Sequence, residues 1–432
     1  MKVTPGFLIA TLGLYPCFGQ TITTVAGTGE PGFGGDGGRA VMALLNDVAG
    51  LALDAQGNLY IHDSINIRVR KVAPSGIITT IAGSGDISET VEGPALSTGF
   101  ISIYGIATLP DGTLYIADAT GLHKVDRQGN LSFVVTGGSI PGGIRISKQA
   151  VFYTGGVTVI YQLNPDRSQT PVAGSDLGDS GDGGPAAQAQ FYLTDFATDS
   201  IGDVYIADNV ANRVRKFTPG GNISPVAGNG TYDFGGDGGP GTLAPLSNPI
   251  GVAVDVAGNV YISDAANSRV RRVTTDGVIN TFAGSGTGDG SFTGDGGPAV
   301  NAVLRYPGYL AVNCSALYVS DVNSVRAIAL TDPLIAQRGI TGTTTGAAVI
   351  RAGTSFQISG CNLAASTADG GLAPPLSLAG TSVSLNGVRV PVTSVSPTLV
   401  VAQVPFDFPS GVTTVTVMDG NGKTATAGTI VE

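Results

Sequence analysis

The chain repeats itself. Val25-Ala26-Gly27 returns as Ile81-Ala82-Gly83, Val172-Ala173-Gly174, Val226-Ala227-Gly228 and Phe282-Ala283-Gly284. A second signature runs in step with it: Leu59-Tyr60-Ile61-His62-Asp63, Leu114-Tyr115-Ile116-Ala117-Asp118, Val204-Tyr205-Ile206-Ala207-Asp208, Val260-Tyr261-Ile262-Ser263-Asp264 and Leu317-Tyr318-Val319-Ser320-Asp321. The period is about 55 residues, which indicates a solenoid, a propeller or an array. Each period holds four strand-like runs. In the first they are Gly50 to Asp54, Leu59 to Asp63, Arg68 to Val72 and Ile77 to Ala82. Asp54-Ala55-Gln56-Gly57-Asn58 and Pro74-Ser75-Gly76 between them are tight-turn chemistry. A four-stranded meander repeated radially is a propeller blade.

First strands recur six times, and Gly143-Ile144-Arg145-Ile146 is the most divergent copy. Fourth strands also occur six times, but the earliest, Thr21 to Ala26, precedes every first strand. The last period, ending near Ala329, has no fourth strand of its own. The expectation is an all-β chain: a six-bladed propeller over residues 20–332, closed by the N-terminal strand.

The motif Gly251-Val252-Ala253-Val254-Asp255, Gly258-Asn259-Val260-Tyr261-Ile262-Ser263-Asp264 and Asn267-Ser268-Arg269-Val270 resembles the NHL-repeat family of six-bladed propellers. The Gly-Asp-Gly-Gly loops are similar to those of a bacterial secreted subgroup. The resemblance spans residues 21–331, with the third repeat fitting worst. One enzymatic branch of that family, the amidating lyases, depends on a His-bound metal. This chain has two His, His62 and His123, so a three-His zinc site is excluded.

After Asp332-Pro333 the pattern changes. Residues 333–347 read as a Thr/Gly-rich linker. Residues 348–432 read as short alternating strands with an Asp419-Gly420-Asn421-Gly422 hairpin turn, hence an immunoglobulin-like sandwich. Gly353, Phe356, Ile358, Gly360, Asn362-Leu363 and Val404-Pro405 are similar to the IPT/TIG type, which implies a spacer or adhesion module. At the other end, Lys2 followed by the apolar run Gly6 to Leu14 and Cys17-Phe18-Gly19 reads as a signal peptide over residues 1–19. The expected location is therefore secreted, periplasmic or cell-surface. No other run is long enough to span a membrane. Cys314 and Cys361 remain after cleavage, and an oxidising compartment permits a disulfide between them.

Net charge is -10, which argues against a nucleic-acid partner. In a meander, the turns joining second and third strands share a face with the long crossovers between repeats. One face therefore collects two sets of Asp. The turn Asp, as in Asp63-x-x-Asn66-x-Arg68, is expected to cap its turn and pair with that Arg. Asp36, Asp182, Asp237 and Asp295 lie in Gly-Asp-Gly-Gly loops. Three of these loops run on into Pro, which reads as helix-start chemistry; the four Asp are also candidate ligand-binding residues. Asp176, Asp179 and Asp182 form the best candidate calcium cluster. No catalytic residue and no obligatory cofactor emerge. The third repeat breaks the rules: its crossover, Gly137 to Gly142, is short, Arg145 replaces a first-strand Ala, and Thr154 is read in place of the turn Asp. Arg145 is thus expected to be a lone cation beside a notch, suited to an acidic ligand.

The function these features imply is a monomeric, exported, non-enzymatic binding or scaffold protein. It would dock a protein or glycan of the cell envelope on its long-loop face. The alternative is a metal-dependent envelope hydrolase or lyase with an Asp-lined site at the propeller mouth.

Overall fold

A computed structural model describes residues 20–136, 143–147, 150–288, 292–343, 348–370 and 374–432. The signal-like segment, the short crossover 137–142 and residues 344–347 of the expected linker lie outside these.

The chain is all-β. Among the described residues its first part forms six antiparallel sheets, five of them meanders, an arrangement consistent with a propeller. Sheet 1 runs Val48–Leu53, Leu59–Asp63, Arg68–Val72, Ile78–Ala82. Sheet 2 is Ile103–Thr108, Leu114–Asp118, Gly121–Val125, Asn130–Thr136, with Gly93–Pro94 added at its outer edge. Sheet 3 is Ile144–Ser147, Ala150–Gly155, Val159–Leu163, Gln169–Ala173. Sheet 4 is Leu193–Thr198, Val204–Asp208, Arg213–Phe217, Ile223–Ala227. Sheet 5 is Pro249–Val254, Val260–Asp264, Arg269–Val273, Ile279–Ala283. Sheet 6 is Pro307–Val312, Ala316–Asp321, Ser324–Ala329, and its fourth strand is Ile22–Ala26 from the other end of the chain. That strand pairs antiparallel with Ser324–Ala329, Ile22 opposite Ile328. Each first strand packs beside the first strand of the next sheet, and that of sheet 6 beside that of sheet 1.

The Ala-Gly that ends the fourth strand of every sheet but sheet 2 has a steric cause. Gly27, Gly83, Gly174, Gly228 and Gly284 all have φ between 83° and 94°. A Cβ at any of them would collide with a carbonyl oxygen of the neighbouring turn, such as Asn323 for Gly27 or Ile67 for Gly83. Only glycine satisfies both constraints. The preceding Ala is fully buried in sheets 1, 3, 4, 5 and 6.

The helix expected after each Gly-Asp-Gly-Gly loop is a single 3-10 turn, for example Ala40–Met42 or Ala186–Gln188, and no side chain caps it. The loop Asp is committed elsewhere, as described below.

The second part forms two five-stranded sheets around one apolar core that includes Phe356, Ile358, Val383, Val400 and Val417. Asp419 stabilises the expected hairpin by accepting the Asn421 and Lys423 amides, both at 2.9 Å. Residues 334–342, placed in the linker from sequence, are instead a strand, Leu334–Gly342, hydrogen-bonded to Ser355–Cys361. Its Ile335 and Ile340 are buried in that core, which is why the segment is ordered rather than a spacer.

This second unit sits on the tight-turn face of sheets 4 to 6. The Gln337 amide donates to the Val256 carbonyl at 2.8 Å, Ser200 Oγ donates to Gln337 Oε1 at 3.1 Å, and Asn362 Nδ2 donates to the Cys314 carbonyl at 3.0 Å. Beside that last contact, Cys314 and Cys361 are joined by a disulfide, with Cα atoms 5.2 Å apart. Alkylation of unreduced protein is expected to label neither cysteine. Replacing both by Ser should lower stability by up to about 4 kcal/mol, the loop-closure value for such a separation. Two labelled thiols in the native protein would refute the bond.

Candidate functional site

The long-loop face rests on a lattice of buried arginines. Arg70, Arg215, Arg271 and Arg326 are fully buried and occupy equivalent third-strand positions. Arg70 pairs with Asp36 at 2.7 Å and with Asp63 at 3.1 Å. Arg215 pairs with Asp182 at 2.8 Å, Arg271 with Asp237 at 2.6 Å, and Arg326 with Asp295 at 2.7 Å. The same guanidiniums donate to crossover carbonyls, among them Gly34, Ser180, Gly235 and Val303. Each arginine therefore fastens a long crossover to its sheet.

This corrects two expectations. The turn Asp pairs with the second Arg of the run, not the first: Arg68 donates instead to the Asn66 and Ser84 carbonyls and lies 3.9 Å over the Phe33 ring. The four loop aspartates are not helix caps, and their charge is already met by an arginine. Burial raises the Asp36 carboxyl, but Thr80 and Arg70 outweigh it and hold the group below the usual carboxylate range. For Asp63 burial dominates and its carboxyl is raised. In sheet 2, where the preceding crossover lacks the Gly-Asp-Gly-Gly loop, His123 takes the arginine's place and meets Asp118 at 2.7 Å.

The calcium cluster disperses. Asp182 is held by Arg215, Asp179 faces Arg213 at 3.2 Å, and Asp176 accepts the Leu177 amide at 2.8 Å. Among the described residues, no three His, Cys, Asp or Glu come together as a metal site.

His62 stands where sheets 2 and 4 carry Ala117 and Ala207, and it packs against Gly50. Burial holds its imidazole down to about 4. The unfolded chain then takes up a proton near the ordinary value of 6.5 that the native state refuses. Stability from this site is complete above that value and is lost as pH falls toward 4, by about 3 kcal/mol in all. Urea unfolding of the native sequence and of His62→Ala at about pH 7.5 and about pH 4.5 should show the smaller acid loss in the variant. Equal losses would refute the assignment.

At the axis, first strands converge on a cavity of about 390 Å³ that opens among the long loops. Its lining includes Arg145, Asp195, Tyr104, Tyr192 and Tyr309, with Val157 and Asn209 from second-to-third-strand turns. Arg145 is not the lone cation expected from sequence. Its Nη2 is ion-paired with Asp195 Oδ1, and its Nη1 donates to the Ile144 carbonyl at 2.8 Å. Asp195 Oδ2 accepts the Val252 amide at 3.2 Å. Burial raises the Asp195 carboxyl against the pull of Arg145 and Val252. Register also corrects the third repeat: Gly155, not Thr154, occupies the turn Asp position, because Gly155 pairs with Val159 as Asp118 pairs with Gly121.

Asp195 and Tyr309 went unnoticed in the sequence, although a signal existed. They fill the first-strand position that is Gly50, Gly105 and Gly251 in sheets 1, 2 and 5. A larger cavity, about 830 Å³, lies between sheets 1 and 2 near the tight turns. Similar grooves recur between sheets 4 and 5 and between sheets 6 and 1, so these follow from the repeat.

Comparison with known proteins agrees with this geometry. A model of the teneurin NHL domain matches residues 21–104 and 230–293. Mouse teneurin-3 is 28% identical over 277 residues, 58% of this chain and 9% of that protein. The chain thus spans about a tenth of the curated relatives it matches. Among solved structures, a Bacteroides thetaiotaomicron protein of unknown function shares 18% identity and a TM-score of 0.55, over 72% of this chain and 76% of its own. An auxiliary nutrient binding protein from the same organism shares 14% identity and a TM-score of 0.54, over 72% and 76%. The solved structures speak for the fold alone, and with the teneurin match they support an NHL-type β-propeller.

Proposed function

We propose that this protein is an exported binding module whose ligand occupies the axial cavity on the long-loop face. In this reading the six sheets are the blades of one ring, closed by Ile22–Ala26. The C-terminal sandwich, of immunoglobulin type, serves as a spacer on the opposite face. The observation that carries the reading is the cavity itself: it sits where the third repeat departs from the pattern and holds a part-buried Arg145–Asp195 pair and three Tyr. Binding sites are concave, largely apolar and furnished with a few placed polar groups. Exposed Tyr104, Tyr192, Tyr306, Ile65 and Val210 add an apolar and aromatic rim on the same face. The sandwich contacts the tight turns and so leaves this face open. The nutrient-binding neighbour is consistent with such a role.

The test is ligand capture from an envelope extract by the chain from residue 20 onward, read by native mass spectrometry. Val157→Trp narrows the cavity mouth from a partly exposed turn position. A ligand retained by the native sequence and lost by Val157→Trp supports the site. A ligand that ignores Val157→Trp but is lost on Arg127→Ala, in the groove between sheets 1 and 2, refutes it.

A further inference from the structure

We infer that the axial cavity selects the neutral, hydroxyl-rich end of a saccharide over a carboxylate-bearing ligand. This rests on the cavity being the binding site. Among the described residues, Arg145 and Asp195 are the two charged ones in its lining, and they cancel. Asp195 is 1% exposed and is held behind the guanidinium by the Val252 amide, so the pair is built into the wall. An incoming carboxylate would meet the guanidinium and, directly behind it, a second carboxylate. Its attraction is largely cancelled while its desolvation cost remains.

A hydroxyl loses little by comparison. Arg145 has five N–H donors, of which one on Nη1 serves Ile144 and one on Nη2 serves Asp195. Its side chain is 17% exposed, so donors remain for ligand oxygens. The aromatic component suits a sugar too: Tyr104, Tyr192 and Tyr309 offer apolar rings with polar tips, matching the alternating C–H and O–H surfaces of a pyranose. Burial, reinforced by Asp195, pushes the Tyr309 hydroxyl up to about 12, which keeps it a neutral phenol. The volume, about 390 Å³, is at the lower end of small-molecule pockets and fits a chain end rather than a polymer segment.

The test uses the chain from residue 20 onward on an array of neutral and uronate-terminated oligosaccharides. Calorimetry follows with the best neutral hit and its uronate counterpart. The neutral sugar is expected to bind at least about tenfold more tightly. Tyr104→Ala, at a partly exposed position, should weaken it by about tenfold. Asp195→Asn should shift preference toward the uronate by about tenfold or more, because Arg145 is then unbalanced. Preference for the uronate in the native protein, or unchanged selectivity in a folded Asp195→Asn protein, overturns the inference. So does an array with no bound saccharide, which leaves the cavity reading to the Val157→Trp capture. Neutral-sugar binding that survives both Tyr104→Ala and Val157→Trp overturns the cavity as the site.

Discussion

Deleting Thr21 to Gly27 should cost several kcal/mol and promote aggregation. The strand's pairing partner, Ser324–Ala329, is distant in sequence, although the Gly27 amide also donates to the nearby Ala40 carbonyl at 2.9 Å. Ile22 is fully buried with Leu317 and Ile328, and Ala26 is fully buried with Leu45 and Leu51. Burying a side chain such as Ile22 contributes about 1.5–3 kcal/mol. The strand also ties the chain elsewhere: the Ile22 amide donates to the Gly297 carbonyl at 3.1 Å, and the Thr24 amide donates to Asp295 at 3.0 Å. Its removal would expose Ser324–Ala329 as an open edge, ready to pair with another chain. A typical domain has only about 5–15 kcal/mol in hand, so the loss is large. Thermal melting and light scattering on the truncated protein measure both effects. Unchanged melting and a clean monomer would refute the proposed ring closure.

Arg271→Ala should be nearly as damaging. It removes the buried partner of Asp237 and Asp264 together with the donor to the Gly235 carbonyl. Breaking a buried pair by deleting one member typically costs about 3–5 kcal/mol, since the remaining charge is left in a poor solvent. Arg269→Ala, two residues earlier on the same strand, is the control. Its guanidinium donates to the Asn267 and Ser285 carbonyls and stacks 3.7 Å over Phe234. That loss should be about 1–2 kcal/mol. Urea unfolding separates the two. Limited proteolysis should also show the crossover between sheets 4 and 5 cut first in Arg271→Ala. Equal effects from both variants would mean that the arginine lattice does not fasten the crossovers.

Much was legible in the chain because it was written several times over. Repetition disclosed the strand order, the N-terminal strand as the missing partner of Ser324–Ala329, and the face that collects the long loops. The Val-Ala-Gly triplet could be read as a strand end because only glycine tolerates that backbone against a neighbouring carbonyl. Even the arginine lattice left a trace that went unused. The sheets with Arg70, Arg215, Arg271 and Arg326 are those whose preceding crossover carries Gly-Asp-Gly-Gly, while sheet 2 has His123 and sheet 3 has Tyr161 at that position.

What only tertiary structure decided is which charges meet. Local spacing favoured Arg68 for Asp63, because the two are cross-strand neighbours. The long Arg70 side chain, buried beneath the crossover, reached both Asp63 and Asp36 instead, because the carbonyls there also needed a donor. Spacing likewise left Arg145 a free cation. Its partner, Asp195, lies fifty residues on in sequence and in the adjacent sheet, a proximity that comes only from first strands crowding at one axis. A charge pattern along a chain shows which groups exist. The fold brings two of them within a hydrogen bond and so turns an expected free cation into one half of an ion pair.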